Sequence, residues 1–315
     1  MPKREKPAKR VVSLIASATE IVAALGRRDW LVARSHECDF PADVSALPVI
    51  TEPKFTTGGS SAEIDARVRT LVGEWLSVDR VDIDKLRDAA PDVIVTQDHC
   101  EVCAVSLKDV EAATCHWTGH KAEIVSLRPH GLEDVLRDIR RVAAALDAAS
   151  EGEALINRMR DRLAALRSKT ANLSRPGVAF IEWMDPLMSG GNWMPTLINA
   201  AGGRDLLGVE DAHSPFLSWE SLANADPDVI VIAPCGFPID RTVREMPVLE
   251  SHERWAQLKA VRSRRVYIGD GNAYFNRPGP RLVETAEIIA EMLHPSIFHF
   301  GHQGRGWRGR RWVGK

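Results

Sequence analysis

Cysteine and histidine are the side chains of this sequence best placed to do chemistry. Cys38 stands in His36-Glu37-Cys38-Asp39, and Cys100 and Cys103 stand in Asp98-His99-Cys100-Glu101-Val102-Cys103. Thiolate and imidazole are the donors that zinc and iron–sulfur clusters select, and a Cys-x-x-Cys pair can chelate one ion from a single turn. His36, Cys38, Cys100 and Cys103 are therefore candidate ligands of zinc or of an iron–sulfur cluster. The pattern is half a signature, because His36 and Cys38 meet the other pair only if the fold brings the two segments together. A reversible dithiol at Cys100 and Cys103, or plain buried thiols, are the other readings of the same residues. Five cysteines in 315 residues, an odd number in a long chain, are not the pattern of a disulfide-stapled secreted scaffold.

A second set of residues offers flat apolar surface. Trp183, Trp193, Trp219, Phe237, Tyr274 and Phe275 fall in the second half of the chain, and such rings suit a large planar ligand such as a corrin or porphyrin. The competing reading is that tryptophans of α/β lobes pack in the core. Polar candidates for the same ligand are Ser17, Thr19, Glu20, Glu37, Asp39, Asp98, Glu182 and Arg277. Glu182 and Asp185 resemble an acid/base pair, yet no Ser-His-Asp set, phosphate loop or His-Glu-x-x-His pattern accompanies them. The glycines of Ser189-Gly190-Gly191-Asn192 lack the frame of a dinucleotide fingerprint. No enzymatic activity is expected.

These residues need elements to hold them. Short apolar runs alternate with helical patterns: Arg10 to Ile15, Leu31 to Arg34, Val93 to Thr96 and Ile124 to Ser126 read as strands, with helices at Thr19 to Leu25, Asp84 to Ala90 and Leu107 to Ala112. From Leu132 to about Leu173 the periodicity Leu132, Val135, Ile139, Val142, Leu146, Leu155, Met159, Leu163, Leu166 predicts one long helix, bent near Gly152. The first pattern then resumes, with strands at Val178 to Glu182, Val229 to Ile232 and Arg265 to Ile268 and a helix at Met194 to Ala201. Pro91-Asp92-Val93-Ile94-Val95 recurs letter for letter as Pro227-Asp228-Val229-Ile230-Val231, at equivalent places in the two series. The expected fold is α/β: two Rossmann-like lobes, residues 10–130 and 174–298, joined by one long interdomain helix over residues 131–173. Ligands of open parallel sheets sit beyond the carboxyl ends of the strands, so the loops after each strand are the ones to read.

A formal net charge of -2 hides basic ends. Residues 1–9 and 299–315 read as disordered tails, solvated rather than nucleic-acid binding. Thr19 and Glu20 interrupt the apolar stretch after the basic start, so it reads as strand and helix rather than as an export signal. No stretch approaches the roughly 18 apolar residues that span a bilayer. Cytoplasmic residence is expected, with the periplasm as the alternative.

With these segments in place the chain resembles the helical-backbone (class III) periplasmic binding proteins, which hand cobalamin or ferric siderophores to ABC importers. Arg10 to Ile21 looks like their first strand and loop, and Leu86 to Thr96 like their helix, Pro-Asp and strand unit. The closest likeness is to the subgroup called cobalamin-binding proteins, carried by His36 to Asp39, Asp98 to Cys103 and Asn276 to Arg281. The resemblance implies a rigid two-lobed fold that clasps cobalamin, another corrinoid or a metal complex between loops of both lobes, with an ABC importer or a corrinoid-handling protein as partner and a monomeric state. Ala16 departs from the family, whose transport members commonly have Pro there.

Overall fold

The chain folds by a simple rule: apolar runs with no polar face become strands covered on both sides. Val93-Ile94-Val95 and Val229-Ile230-Val231-Ile232 are buried along their whole length, as a parallel strand with helices on both faces requires. The computed structural model describes residues 8–73, 78–97 and 122–309.

Two compact units emerge. One holds the chain up to Thr57 with Arg67–Pro129 and Glu133–Asn157; the other holds Gly58–Ala66, His130–Leu132 and everything from Arg158 onward. The first unit carries β1 (Val11–Ser13), α1 (Ala16–Ala24), β2 (Leu31–Arg34), β3 (Thr51–Pro53), most of α2 (Ser61–Gly73), β4 (Asp79–Val81), α3 (Ile83–Asp88), β5 (Val93–Gln97), β6 (Glu123–Leu127), α4 (Leu132–Ala145) and the start of α5 (Ala149–Thr170). Its sheet runs β2-β1-β5-β6, all parallel, and β3 and β4 form a separate antiparallel pair. The second unit continues with β7 (Gly177–Met184), β8 (Leu187–Ser189), α6 (Met194–Ala200), β9 (Arg204–Asp205), α7 (Trp219–Ala225), β10 (Val229–Ile232), α8 (Ile239–Glu245), α9 (Pro247–Glu250), α10 (Lys259–Arg262), β11 (Val266–Gly269), α11 (Leu282–Leu293) and β12 (Trp307–Gly309). Its sheet runs β12-β11-β10-β7-β8, parallel through β11, β10 and β7 and antiparallel at both ends, with β9 beside β7.

The recurring Pro-Asp segment has one structural job in both units. Asp92 accepts a hydrogen bond from Arg10 N at 2.7 Å, and Asp228 accepts one from Gly177 N at 2.7 Å, so each aspartate tethers the start of the first strand to the strand it precedes. The residue before each proline is left-handed, Ala90 at φ 39° and Asp226 at φ 36°.

Three features differ from the sequence-based expectation. The long helix is two, α4 and α5, broken where Asp147 turns left-handed at φ 52°. Gly152 does not bend the chain; it lies inside α5, where a Cβ would come within 2.6 Å of Ala143 Cβ, so it permits close helix packing. Residues 299–309 are no tail: Trp307 is buried, its Nε1 donates to Glu291 Oε2 at 2.7 Å, and β12 pairs with β11.

Candidate functional site

In the first unit, the carboxyl ends of β1 and β2 carry a buried polar cluster. The Thr19 hydroxyl lies 2.8 Å from Ser13 Oγ and 2.9 Å from Cys38 Sγ. Thr51 Oγ1 gathers Ser35 Oγ at 3.0 Å, the His36 backbone N–H at 3.0 Å and His36 Nδ1 at 2.8 Å. On its other side the His36 ring faces Asp79, Nε2 to Oδ1 3.9 Å. Burial pushes the Asp79 carboxyl up to about 7, with the charge of Glu37 adding to it, while burial holds His36 below its ordinary value. Desolvation favours the neutral form of each group. The cluster therefore offers hydroxyl, thiol and imidazole with little net charge.

Among the described residues, three further oxygens are buried without a hydrogen-bond partner there: Ser17 Oγ in the first turn of α1, Gln97 Oε1 at the end of β5 and Ser126 Oγ on β6. Each such orphan costs on the order of 1–3 kcal/mol. Ser17, Thr19 and Glu20 belong to α1 rather than to a loop, because α1 begins at Ala16.

In the second unit β7 ends in an irregular hairpin. The pairing with β8 slips by one residue between Ile181 and Trp183, and this places Glu182 beside Ser214, whose Oγ donates to Glu182 Oε1 at 2.7 Å. Trp183 meets Phe237 with ring centroids 5.2 Å apart, and the Arg241 guanidinium lies over Phe237 at 4.8 Å. Arg277 is buried, with Nη2 3.2 Å from Asn272 Oδ1. Tyr274 is half-buried beneath the Arg281 guanidinium at 5.1 Å.

Two of the expected ring contacts belong to the core instead. Phe275 is fully buried and stacks on Phe180 at 5.7 Å, and Trp193 is buried with its Nε1 donating to the Phe275 carbonyl at 3.0 Å. Neither presents a face to solvent.

Residues 11–273 match the family model described as "Periplasmic binding protein". The chain belongs to the periplasmic binding protein family. The family is one of ligand-binding proteins rather than enzymes. Among its relatives, the uncharacterized ABC transporter substrate-binding lipoprotein YvrC of Bacillus subtilis (strain 168) is 24% identical over 307 residues, covering 93% of this chain and 82% of that one. The vitamin B12-binding protein of Vibrio parahaemolyticus is 23% identical, covering 91% of this chain and 90% of that one. A periplasmic heme-binding protein of Pseudomonas aeruginosa has the same fold, with a TM-score of 0.68, 22% identity, and 92% and 94% of the two chains covered.

For this periplasmic binding protein, His36 and Cys38 are the members of the expected metal set that lie among the described residues. His36 is taken up by Thr51 and Asp79, Cys38 by Thr19, and no three His, Cys, Asp or Glu side chains converge there. Cys100, Cys103 and Asp98 lie outside the described residues. Glu37 and Asp39 are exposed beside the buried Cys38. Ser35, Thr51 and Asp79 were missed in the sequence. Ser35 was legible as a strand-end neighbour of His36, whereas Thr51 and Asp79 come from β3 and β4, whose short mixed runs carry no clear period.

The cytoplasmic expectation is not carried forward, because the family is described as periplasmic and YvrC is a lipoprotein. No described helix is long and apolar enough to cross a membrane.

Proposed function

We propose that this protein is the solute-binding component of an ABC importer and that its ligand is a corrinoid, cobalamin first. The observation that carries the reading is end-to-end kinship with vitamin B12-binding proteins, 91% of this chain against 90% of the Vibrio parahaemolyticus protein. The strand-end loops supply complementary chemistry. The half-buried ring of Trp183, packed on the buried Phe237, suits a macrocycle face, and the hydroxyl and imidazole groups around Thr19, Thr51 and His36 suit neutral amides. Ser17, Glu20, Glu37, Asp39, Glu182, Tyr274 and Arg277 complete the proposed contacts, with the importer as the partner that receives the ligand and the periplasmic side of the membrane as the place of work. A heme is the second reading, favoured by the fold shared with the Pseudomonas aeruginosa heme-binding protein.

Calorimetric titration with cyanocobalamin and, separately, hemin tests the reading. Stoichiometric corrinoid binding is expected; binding of hemin alone moves the assignment to heme, and binding of neither rejects both. Metal analysis of protein purified without oxygen tests the Cys/His alternative, which stoichiometric zinc or iron would restore. Cell fractionation decides the compartment.

A further inference from the structure

In the second unit the parallel strands β7, β9, β10 and β11 all begin at one end of the sheet. Their register aligns Gly177 with Arg204, Val178 with Val229 and Ile230 with Val266. The helices α5, α6 and α11 finish at the same end. The Thr170 hydroxyl, last in α5, donates to the Ala200 carbonyl, last in α6, at 3.3 Å, and Arg265 Nη2, just before β11, donates to the Leu293 carbonyl, last in α11, at 3.0 Å. Trp183 and Phe237 lie at the opposite end of the strands, one late in β7 and the other beyond β10.

This strand-start end is basic. Lys169 stands in the last turn of α5, Arg175 just before β7, Arg204 at the head of β9, Arg262 in the last turn of α10, and Arg264 and Arg265 between α10 and β11. Asp226 and Asp228 bring negative charge there, and both are engaged by Lys259, whose backbone N–H donates to Asp226 Oδ1 at 2.8 Å and whose Nζ lies 2.6 Å from Asp228 Oδ1. Cations at helix ends offset the helix dipole, and this accounts for Arg175 and Arg265, which donate to the Gly203 and Leu293 carbonyls. Arg204, Arg262 and Arg264 are exposed, and no described carboxylate pairs with them. In a chain of formal net charge -2, cations gathered on one end make a local field that attracts an extended anionic partner.

Apolar side chains share that end and narrow the class of partner. Past the end of α11, Phe298 packs on the His294 ring at 6.1 Å and stacks with Phe300 at 5.7 Å, while Ile297 is 50% exposed and Phe300 39%. An anionic bilayer takes up both kinds of group, phosphates receiving the guanidinium groups and the headgroup layer receiving exposed rings and aliphatic chains. A hydrophilic polyanion offers nothing to Ile297 and Phe300.

We propose that the strand-start end of the second unit docks on an anionic phospholipid surface, with Arg204, Arg262 and Arg264 meeting phosphates and Ile297 and Phe300 entering the headgroup layer. Docking there leaves the loops at the other end of the strands open to a ligand, and it does not depend on what that ligand is. The test is flotation of the full chain with phosphatidylcholine vesicles, with and without phosphatidylglycerol. It is run on wild type, on Arg204→Gln with Arg262→Gln, on Arg158→Gln with Arg160→Gln, which removes two exposed cations earlier in α5, and on Ile297→Ser. Wild type floats only with phosphatidylglycerol, and less as salt rises. Arg204→Gln with Arg262→Gln lowers the partition by about tenfold or more, Ile297→Ser lowers it too, and Arg158→Gln with Arg160→Gln floats as wild type, all four proteins melting alike. Wild type that floats with neither vesicle, or that takes up polyglutamate in their place, overturns the lipid partner. Equal losses in the two double variants assign the binding to net charge and overturn the face, and unchanged flotation of Ile297→Ser overturns the seating of the apolar side chains.

Discussion

At the scale of residues, the cluster at the ends of β1 and β2 in the first unit is polar and largely buried. Asp79 is an acid whose folded pKa, about 7, exceeds its ordinary 3.8. It takes up a proton on folding between those values, so its contribution to stability falls as pH rises from about 4 to about 7 and is level above. Asp79→Asn removes that titration. The variant is expected to be near wild type in stability at about pH 4 and above it at about pH 8, by a few kcal/mol at most; a difference constant across that range in melts by circular dichroism would refute the burial account. Thiol access follows the same geometry. Cys235 is exposed and Cys38 buried against Thr19, so brief alkylation followed by peptide mass spectrometry is expected to label Cys235 well ahead of Cys38. Equal labelling would mean that the cluster opens readily.

At the scale of elements, the two helices α4 and α5 and the last strand carry the lessons. Gly152 of α5 lies against Ala143 of α4, and Gly152→Ala places a methyl within 2.6 Å of Ala143 Cβ. The helices must part or shift, and the expected cost is about 1–3 kcal/mol, read as a lower denaturation midpoint. A variant as stable as wild type would mean that the packing relaxes at no cost. The strand β12 caps the open edge of β11 and brings Trp307 to the buried carboxylate of Glu291, which also accepts from Gly301 N at 2.8 Å. Ending the chain at Phe298 exposes that edge and leaves Glu291 buried without these donors. A fall in melting temperature of about 5 °C or more is expected, and an unchanged melt would make the segment dispensable. The helix break at Asp147 shows in the sequence only as the gap between Leu146 and Leu155 in the apolar period, which a single bent helix also fits.

At the scale of the whole molecule, folding and ligand binding share one equilibrium. A corrinoid that binds the folded chain stabilises it by about 2.7 kcal/mol at a hundredfold excess over its Kd. Thermal melts in rising cyanocobalamin are therefore expected to shift upward logarithmically with concentration. A midpoint indifferent to ligand would contradict binding to the native state.

Sequence by itself determined the α/β class, the two related lobes and the family. Those properties are written in local apolar runs and in the repeated Pro-Asp-Val-Ile-Val, whose letters can be read in the chain although each aspartate tethers a strand 82 or 51 residues away. Only tertiary structure decided which candidate residues share a surface. Phe275 went to the core stacked on Phe180, and Trp193 went there with its Nε1 on the Phe275 carbonyl 82 residues away, whereas Phe216 stands exposed on a segment that pairs with the β7–β8 hairpin. Thr51 and Asp79 reached His36 through β3 and β4. Side-chain type is a local property and burial is a collective one, set by whatever remote segment packs against the residue. Chemistry was therefore legible residue by residue, and the site was not.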